Sequence, residues 1–337
     1  MKLYTLSFVI FFWFGCTENQ EESNLDLGDA TTFVLCEGNF GSGNSALWSL
    51  SPFDSSSLTQ ILSGSVLGDV AQSLTLVGDK LFVVVNNSHK IKILSVENEI
   101  SVEGEINFSN ASPRYLVADD STGYVSCWNL NVILVLDINS NMVTDTISVP
   151  GMPEFLILEG ATLYASIPNN SDWTPANLVI EISTLTKSVS MMHEVISGPG
   201  DMELIGTYLF VASTYYDNNF STHTALSKID LSSGTVTSFQ DGNNSLVRSD
   251  LVVVGETLYR STSTGLAPVN NDLSLDFDNI IGGQSNIYSA AADENYLFFG
   301  STDYVAPDTV FVTDHLGTKV SQFILGAIPG DFITKSN

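Results

Sequence analysis

AIPGDFITKSN, residues 327–337, carries the clue to the topology of the whole chain. It matches the opening of an internal segment, GPGDMELI at 198–205, which leads into a long strand-rich unit. At 327–337 the unit opens and the chain ends. From Thr31 onward no period of 3.6 residues stands out. Short β-rich runs alternate instead with Gly, Asn, Asp and Ser turns, the pattern of strands and hairpins. One phrase recurs, a turn and then a strand with an aromatic or aliphatic start: TTFVLCEGN (31–39), GDKLFVVVNN (78–87), TGYVSCWNL (122–130), ATLYASIPNN (161–170), TYLFVASTYY (207–216), ETLYRSTST (256–264) and NYLFFGSTDY (295–304). Phe33, Phe82, Tyr124, Tyr164, Phe210, Tyr259 and Phe298 mark seven copies at steps of 49, 42, 40, 46, 49 and 39 residues.

A step of roughly 40–50 residues matches one four-stranded propeller blade. In each copy a strand (a) precedes the marked strand (b), and a hairpin (c, d) follows, as in VILVLDI-NSN-MVTDTISV. The first copy begins at its b strand, and residues 330–334 form an a strand with no b strand behind it. The tail is therefore expected to complete the first blade, closing a ring and removing two exposed sheet edges. The fold class is all-β: a seven-bladed β-propeller over 31–334. Six and eight blades are the alternatives, with the fifth and sixth copies the least regular.

Of 337 residues, 44% are hydrophobic, enough for a large core, and only 15% are charged. With 38 acids against 11 bases the net charge is −27. That excludes nucleic acid as a partner, since a phosphate backbone needs clustered Lys and Arg. The acids are spread along the chain and read as a solvated face. Three cysteines are too few for a disulfide scaffold. Cys36 and Cys127 read as small core residues, with a disulfide between them as the alternative.

Residues 3–14, LYTLSFVIFFWF, form an apolar run behind Lys2. The run is too short for a membrane-spanning helix and suits a signal-peptide core. Gly15-Cys16 follows and resembles the lipobox of bacterial lipoproteins, making Cys16 the expected lipidation site; an ordinary cleaved signal is the alternative. Residues 1–15 are then a leader and 16–30 an acidic tether. Acids just behind that cysteine resemble the surface-export signal of Bacteroidota lipoproteins. The expected location is the outer membrane, at the cell surface or on its periplasmic face, with membrane contact through the anchor alone.

In this layout the b–c and d–a connections share one face, and they are longer and richer in side chains than the turns opposite. Amides beside aromatic rings at a channel mouth suit a small molecule. The candidate residues are Asn39, Phe40, Asn87, Arg114, Trp128, Asn129, Asn169, Trp173, Tyr215, Tyr216, Arg248 and Tyr304. Only three arginines exist. Arg114 and Arg248 are placed in d–a connections, which suggests an acidic or amide-rich ligand, and Arg260 in a b strand. Four scattered histidines and no paired Cys motif give no zinc signature. The run from Asp137 to Asn141 reads as a hairpin turn rather than a calcium loop. GNFGSGN at 38–44 has phosphate-loop glycine spacing without the helix or lysine such a loop uses. No metal, cofactor or catalytic residue is expected.

VLCEGNFGSGNSALWSL at 34–50, behind a lipoprotein-type leader, resembles the start of the YncE-like propeller lipoproteins of Bacteroidota. The b-strand phrase and the PGD-type corners agree with that group along most of 31–334. The resemblance implies a surface protein. For some members it implies capture of cobalamin and transfer to a TonB-dependent outer-membrane transporter, so a corrinoid is one ligand it suggests. The rivals are a protein- or glycan-binding scaffold and a metal-dependent hydrolase-like propeller using Glu37, Glu154, Asp201 and Asp303.

Overall fold

A computed structural model of the chain describes residues 30–243 and 249–336. The leader, Cys16, nearly all of the tether and Arg248 lie outside the described residues. Within them the chain forms seven antiparallel sheets. Blade 1 has its a strand at Pro329–Ser336 and continues with Ala30–Cys36, Ala46–Ser51 and Asp54–Ser63. The a and b strands of the others are Ala71–Val77 and Lys80–Val85 (blade 2), Pro113–Ala118 and Thr122–Cys127 (3), Leu156–Glu159 and Thr162–Asn170 (4), Pro199–Ile205 and Tyr208–Tyr216 (5), Leu251–Val254 and Thr257–Thr262 (6), and Ile287–Ala292 and Tyr296–Ser301 (7). Blade 6 departs most from the repeat. Its c strand is only Gly265–Pro268, its d strand Ile281–Gly282, and a 3-10 turn at Phe277–Asn279 lies between them.

The ring closes as the sequence predicts. Ile333 pairs with Phe33 and Phe332 with Val34. The Phe332 ring stacks on Phe298 of blade 7 at 5.8 Å. Lys335 Nζ reaches Asp79 Oδ1 (2.7 Å) and the Val96 carbonyl of blade 2. One strand thus ties three blades.

The uninterrupted apolar b strands follow from burial on both faces. Leu81, Val83 and Val85 pack toward blade 1, while Phe82 and Val84 pack toward blade 3. Among the described residues seven hydrophobic clusters form, one at each junction between neighbouring blades. Cys36 and Cys127 are buried free thiols in different clusters, and burial pushes both upward in pKa, Cys127 to about 12. The core reading holds and the disulfide alternative does not.

A shared irregularity opens the a strands. In blades 1, 2, 3, 5 and 7 the a–b register slips by one extra residue on the a strand, at Gly330, Gln72, Arg114–Tyr115, Gly200–Asp201 and Tyr288. Each of these five strands is preceded by a residue in the left-handed region: Ile328 (φ 60°), Val70 (55°), Ser112 (48°), Gly198 (67°) and Asn286 (57°). The repeated PGD corner is this device. A Cβ on Gly198 would stand 2.2 Å from the Thr214 carbonyl oxygen, so the glycine is needed for close approach as well as for its backbone angle. A β-bulge re-aims a side chain. Here it turns one residue per blade into the channel.

Candidate functional site

Five residues at these bulges, Gln72, Arg114, Gly200, Tyr288 and Gly330, form the upper ring of the channel together with Glu154 of blade 4 and Ser249 of blade 6. They line a cavity of about 770 Å³. The residues two positions further on are Leu74, Leu116, Leu156, Met202, Leu251, Ala290 and Phe332, and all are buried between blades. Regular alternation would have turned the ring residues into the same clusters between blades. Arg114 therefore lies at the head of an a strand, not in the preceding connection where the sequence reading places it.

Three of these seven residues are tied together. Arg114 Nε donates to Glu154 Oε2 (2.8 Å) and Nη2 to Glu154 Oε1 (2.7 Å), a bidentate pair. Its Nη1 donates to Gln72 Oε1. The guanidinium also lies 4.1 Å from the centre of the Trp128 ring, and Trp173 meets Trp128 edge-on at 5.8 Å. Charge pairing and stacking together fix the planar group in one orientation. Across the channel the Tyr288 hydroxyl donates to Glu37 Oε2 (3.1 Å), and Tyr288 meets Tyr304 edge-on at 6.1 Å.

The next level down laces the wall. Asp201, Asp250 and Asp331 each accept an N–H from the following blade's a strand, from Leu251 (2.7 Å), Ala290 (2.8 Å) and Leu74 (2.7 Å). Ser73 and Ser289 donate instead to the carbonyls of Arg114 (2.8 Å) and Pro329 (2.6 Å). In blades 3 and 4 the rings of Tyr115 and Phe155 pack at 4.9 Å. Glu203 faces the channel lower down, and burial pushes its carboxyl up to about 7.

A second hollow of about 580 Å³ opens above this ring on the b–c face. It brings together six of the expected residues: Phe40, Asn87, Arg114, Trp128, Asn129 and Trp173. Glu37, Val70 and Arg114 line both cavities, so the hollow and the channel share a wall. The glycine-rich loop at 38–44 carries Phe40 here. Asp69 holds that loop, accepting the N–H groups of Gly41 (2.9 Å) and Gly43 (3.2 Å) and the Asn87 amide (2.6 Å). An internal carboxylate thus occupies donors that a phosphate would need.

The other candidates are placed differently. Asn39 donates from its amide to the Tyr304 carbonyl (3.0 Å), which joins the blade 1 and blade 7 loops at the rim. Asn169 is paired within the blade 4 sheet, opposite Met152 and Pro175. Tyr215 stacks on His223 at 5.3 Å and its hydroxyl accepts from Gln240 (2.9 Å), so it braces the blade 5 hairpin away from the hollow. Tyr216 is exposed on the same hairpin. Asp303 accepts the Val305 N–H (2.9 Å) as a turn cap and does not line the channel, unlike Glu37, Glu154 and Asp201. Asp137 caps its own turn through Asn139 and Ser140, as the hairpin reading requires. Among the described residues no three His, Cys, Asp or Glu side chains converge to hold a metal ion. Sequence reasoning missed Gln72, Asp250, Glu203 and Tyr288; only the cross-blade alignment of the a strands would have found them.

No sequence-family model matches the chain, and no curated protein matches it either. Many solved structures share its fold. A hypothetical selenium-binding protein from Sulfolobus tokodaii aligns with TM-score 0.62 at 10% identity, over 91% of each chain. Apo AztD from Citrobacter koseri aligns with TM-score 0.58 at 11% identity, over 92% of this chain and 98% of its own. BamB from Moraxella catarrhalis aligns with TM-score 0.52 at 14% identity, over 92% and 93%. At these identities the likeness shows the propeller fold alone.

Proposed function

We propose that this propeller is a binding protein whose b–c mouth captures a small molecule. One observation carries the reading: loop tips from blades 1 to 4 converge, with Arg114, on one hollow that shares a wall with the channel. Aromatic walls supply apolar contact, and Asn87 and Asn129 supply directional hydrogen bonds. The reading is of binding rather than catalysis, because Glu154 is engaged by Arg114 and Glu37 by Tyr288. In the cell the propeller is tethered through acylated Cys16 to the outer membrane and passes its ligand to a transporter of the TonB-dependent class. A corrinoid is the first ligand to titrate.

The test is ligand screening by thermal shift, followed by titration against the intrinsic tryptophan fluorescence. Trp128→Ala and Trp173→Ala are expected to weaken binding of any hit at least about tenfold each, since aromatic rings that a ligand covers carry much of a site's binding energy. Tyr215→Ala leaves it unchanged. A hit that binds all three variants as tightly as the parent chain overturns the mouth reading. The anchor is tested separately: Cys16→Ala abolishes incorporation of labelled fatty acid and releases the protein from the membrane fraction.

The exposed aromatics favour a second reading, docking of a partner protein on the same face. Phe40 is 80% and Phe220 87% exposed, both at b–c loop tips. Capture of a defined partner that is lost in Phe220→Ala and retained in Trp128→Ala selects it.

A further inference from the structure

The mouth reading leaves open whether Arg114 marks an anionic ligand, and the charge of the cavity decides the point. Resting on that reading, we propose that the mouth and channel take an organic cation, an amine attached to an apolar or aromatic group, and reject carboxylates and phosphates. The guanidinium of Arg114 is spent. Glu154 neutralises it through two hydrogen bonds and Gln72 takes a third nitrogen. Among the described residues the channel wall carries Glu37, Glu154, Asp201, Glu203, Asp250 and Asp331 against Arg114 alone. Arg260 adds one positive charge behind the wall, fully buried, with Nη2 donating to Ser249 Oγ (2.8 Å) and to the Ser213 carbonyl (3.2 Å). Carboxylates still outnumber guanidiniums there, and a narrow low-dielectric channel concentrates such a field.

Three features make the occupant organic rather than a bare metal ion. The carboxylates are distributed round the ring on different blades, and no three metal-ligating side chains among the described residues converge. Asp201, Asp250 and Asp331 each spend an oxygen on the neighbouring blade, which fixes them to the wall. The route in is aromatic, and one face of Trp128 already carries a guanidinium at 4.1 Å, showing the ring's capacity to hold a cation. The open arc over Gly200 gives an ammonium group room to descend past the ring toward Glu203.

Phenethylamine, phenylacetamide and phenylacetate share one ring and differ in charge. Titrated calorimetrically into the purified chain, the amine is expected to bind at least about tenfold more tightly than the amide, with the acetate weakest. High salt should weaken the amine and leave the amide unchanged, because screening acts on charge alone. Glu203→Gln should bring the amine about threefold toward the amide without altering amide binding. Trp128→Ala should weaken amine and amide alike. Amide or acetate binding as tight as the amine overturns the cation proposal and leaves the mouth reading standing, as does an amine affinity indifferent to salt. No binding of any of the three also overturns it. The mouth reading falls only if ligands from the wider screen bind Trp128→Ala unimpaired.

Discussion

Blades 2 to 4 and blades 5, 6 and 1 put residues at the same height of one channel and fill it in opposite ways. Gln72, Arg114 and Glu154 form a connected polar arch with Trp128 stacked on it. Gly200 and Ser249 put little side chain into the facing arc, Glu37 packs over Gly330, and below them Asp201, Asp250 and Asp331 carry the charge. The backbone device is closely similar on both sides, since bulges open the a strands of blades 1, 2, 3 and 5 alike. The fold therefore fixes where a side chain enters the channel, and the residue type alone decides whether that sector is wall or doorway.

Substitutions at four sites test this contrast, in descending order of expected effect on stability. Glu154→Leu attacks the arch by leaving the Arg114 guanidinium largely buried without its partner. A loss of about 3 kcal/mol is expected, read as a melting temperature lower by roughly 6 °C. Adding Arg114→Leu should recover much of that loss, because the pair then disappears together. Failure of the double variant to recover would mean that the arch is held by packing alone. Asp331→Ala attacks the open side. It removes the acceptor of the Leu74 N–H, with an expected cost of about 2 kcal/mol for an unsatisfied donor, measurable by denaturant unfolding.

Gly200→Leu tests whether the open arc is a doorway. A Cβ there meets only the Ala212 carbonyl oxygen, at 3.7 Å, an ordinary contact. Stability should change by less than about 1 kcal/mol, as for a substitution without clash or strain, while amine binding is abolished in calorimetry. Unchanged binding would show that ligand does not pass that arc. The smallest effect belongs to Glu203, whose carboxyl is raised from 4.5 to about 7 by burial. The folded state then holds that proton more tightly than the unfolded chain. Its contribution to stability falls as pH rises from about 4.5 to about 7, and the penalty is complete above that. Glu203→Gln should thus raise the melting temperature at pH 8 by roughly 1 °C and leave it unchanged at pH 4. An equal shift at both pH values would place the effect in packing instead.

Much of the mouth was legible because turns do not require large rings. Phe40, Trp128 and Trp173 stand where their loops predict, and all three meet at the hollow. Tyr215 was misplaced because a side chain at the end of a long strand can fold back on its own hairpin, here onto His223. The acidic composition was read as a solvated face, and the structure gives many of those acids a local task. Asp119, Asp137, Asp230 and Asp314 sit below the usual carboxylate range because backbone N–H groups of Ser121, Ser140, Ser232 and Thr318 bond their charged form. What these caps contribute is lost as pH falls through their lowered pKa values.

Seven copies, the order of strands within each and the closure can be read from the residues alone, and the fold selects seven blades over six or eight. Each rests on local periodicity and on counting copies, and the tail phrase at 329–336 needed only an unpaired edge beside Phe33. The upper ring was decided by the tertiary structure. Alternation along a strand assigns Arg114 and Glu154 to the same buried side as Leu116 and Leu156, and nothing local announces otherwise. In five blades a break at the head of the a strand reverses that assignment, because a corner in the left-handed region and one unpaired residue let the chain turn from one blade into the next. Which side chains then face one another across the axis depends on seven strands far apart in sequence, and that arrangement exists only once the ring is shut.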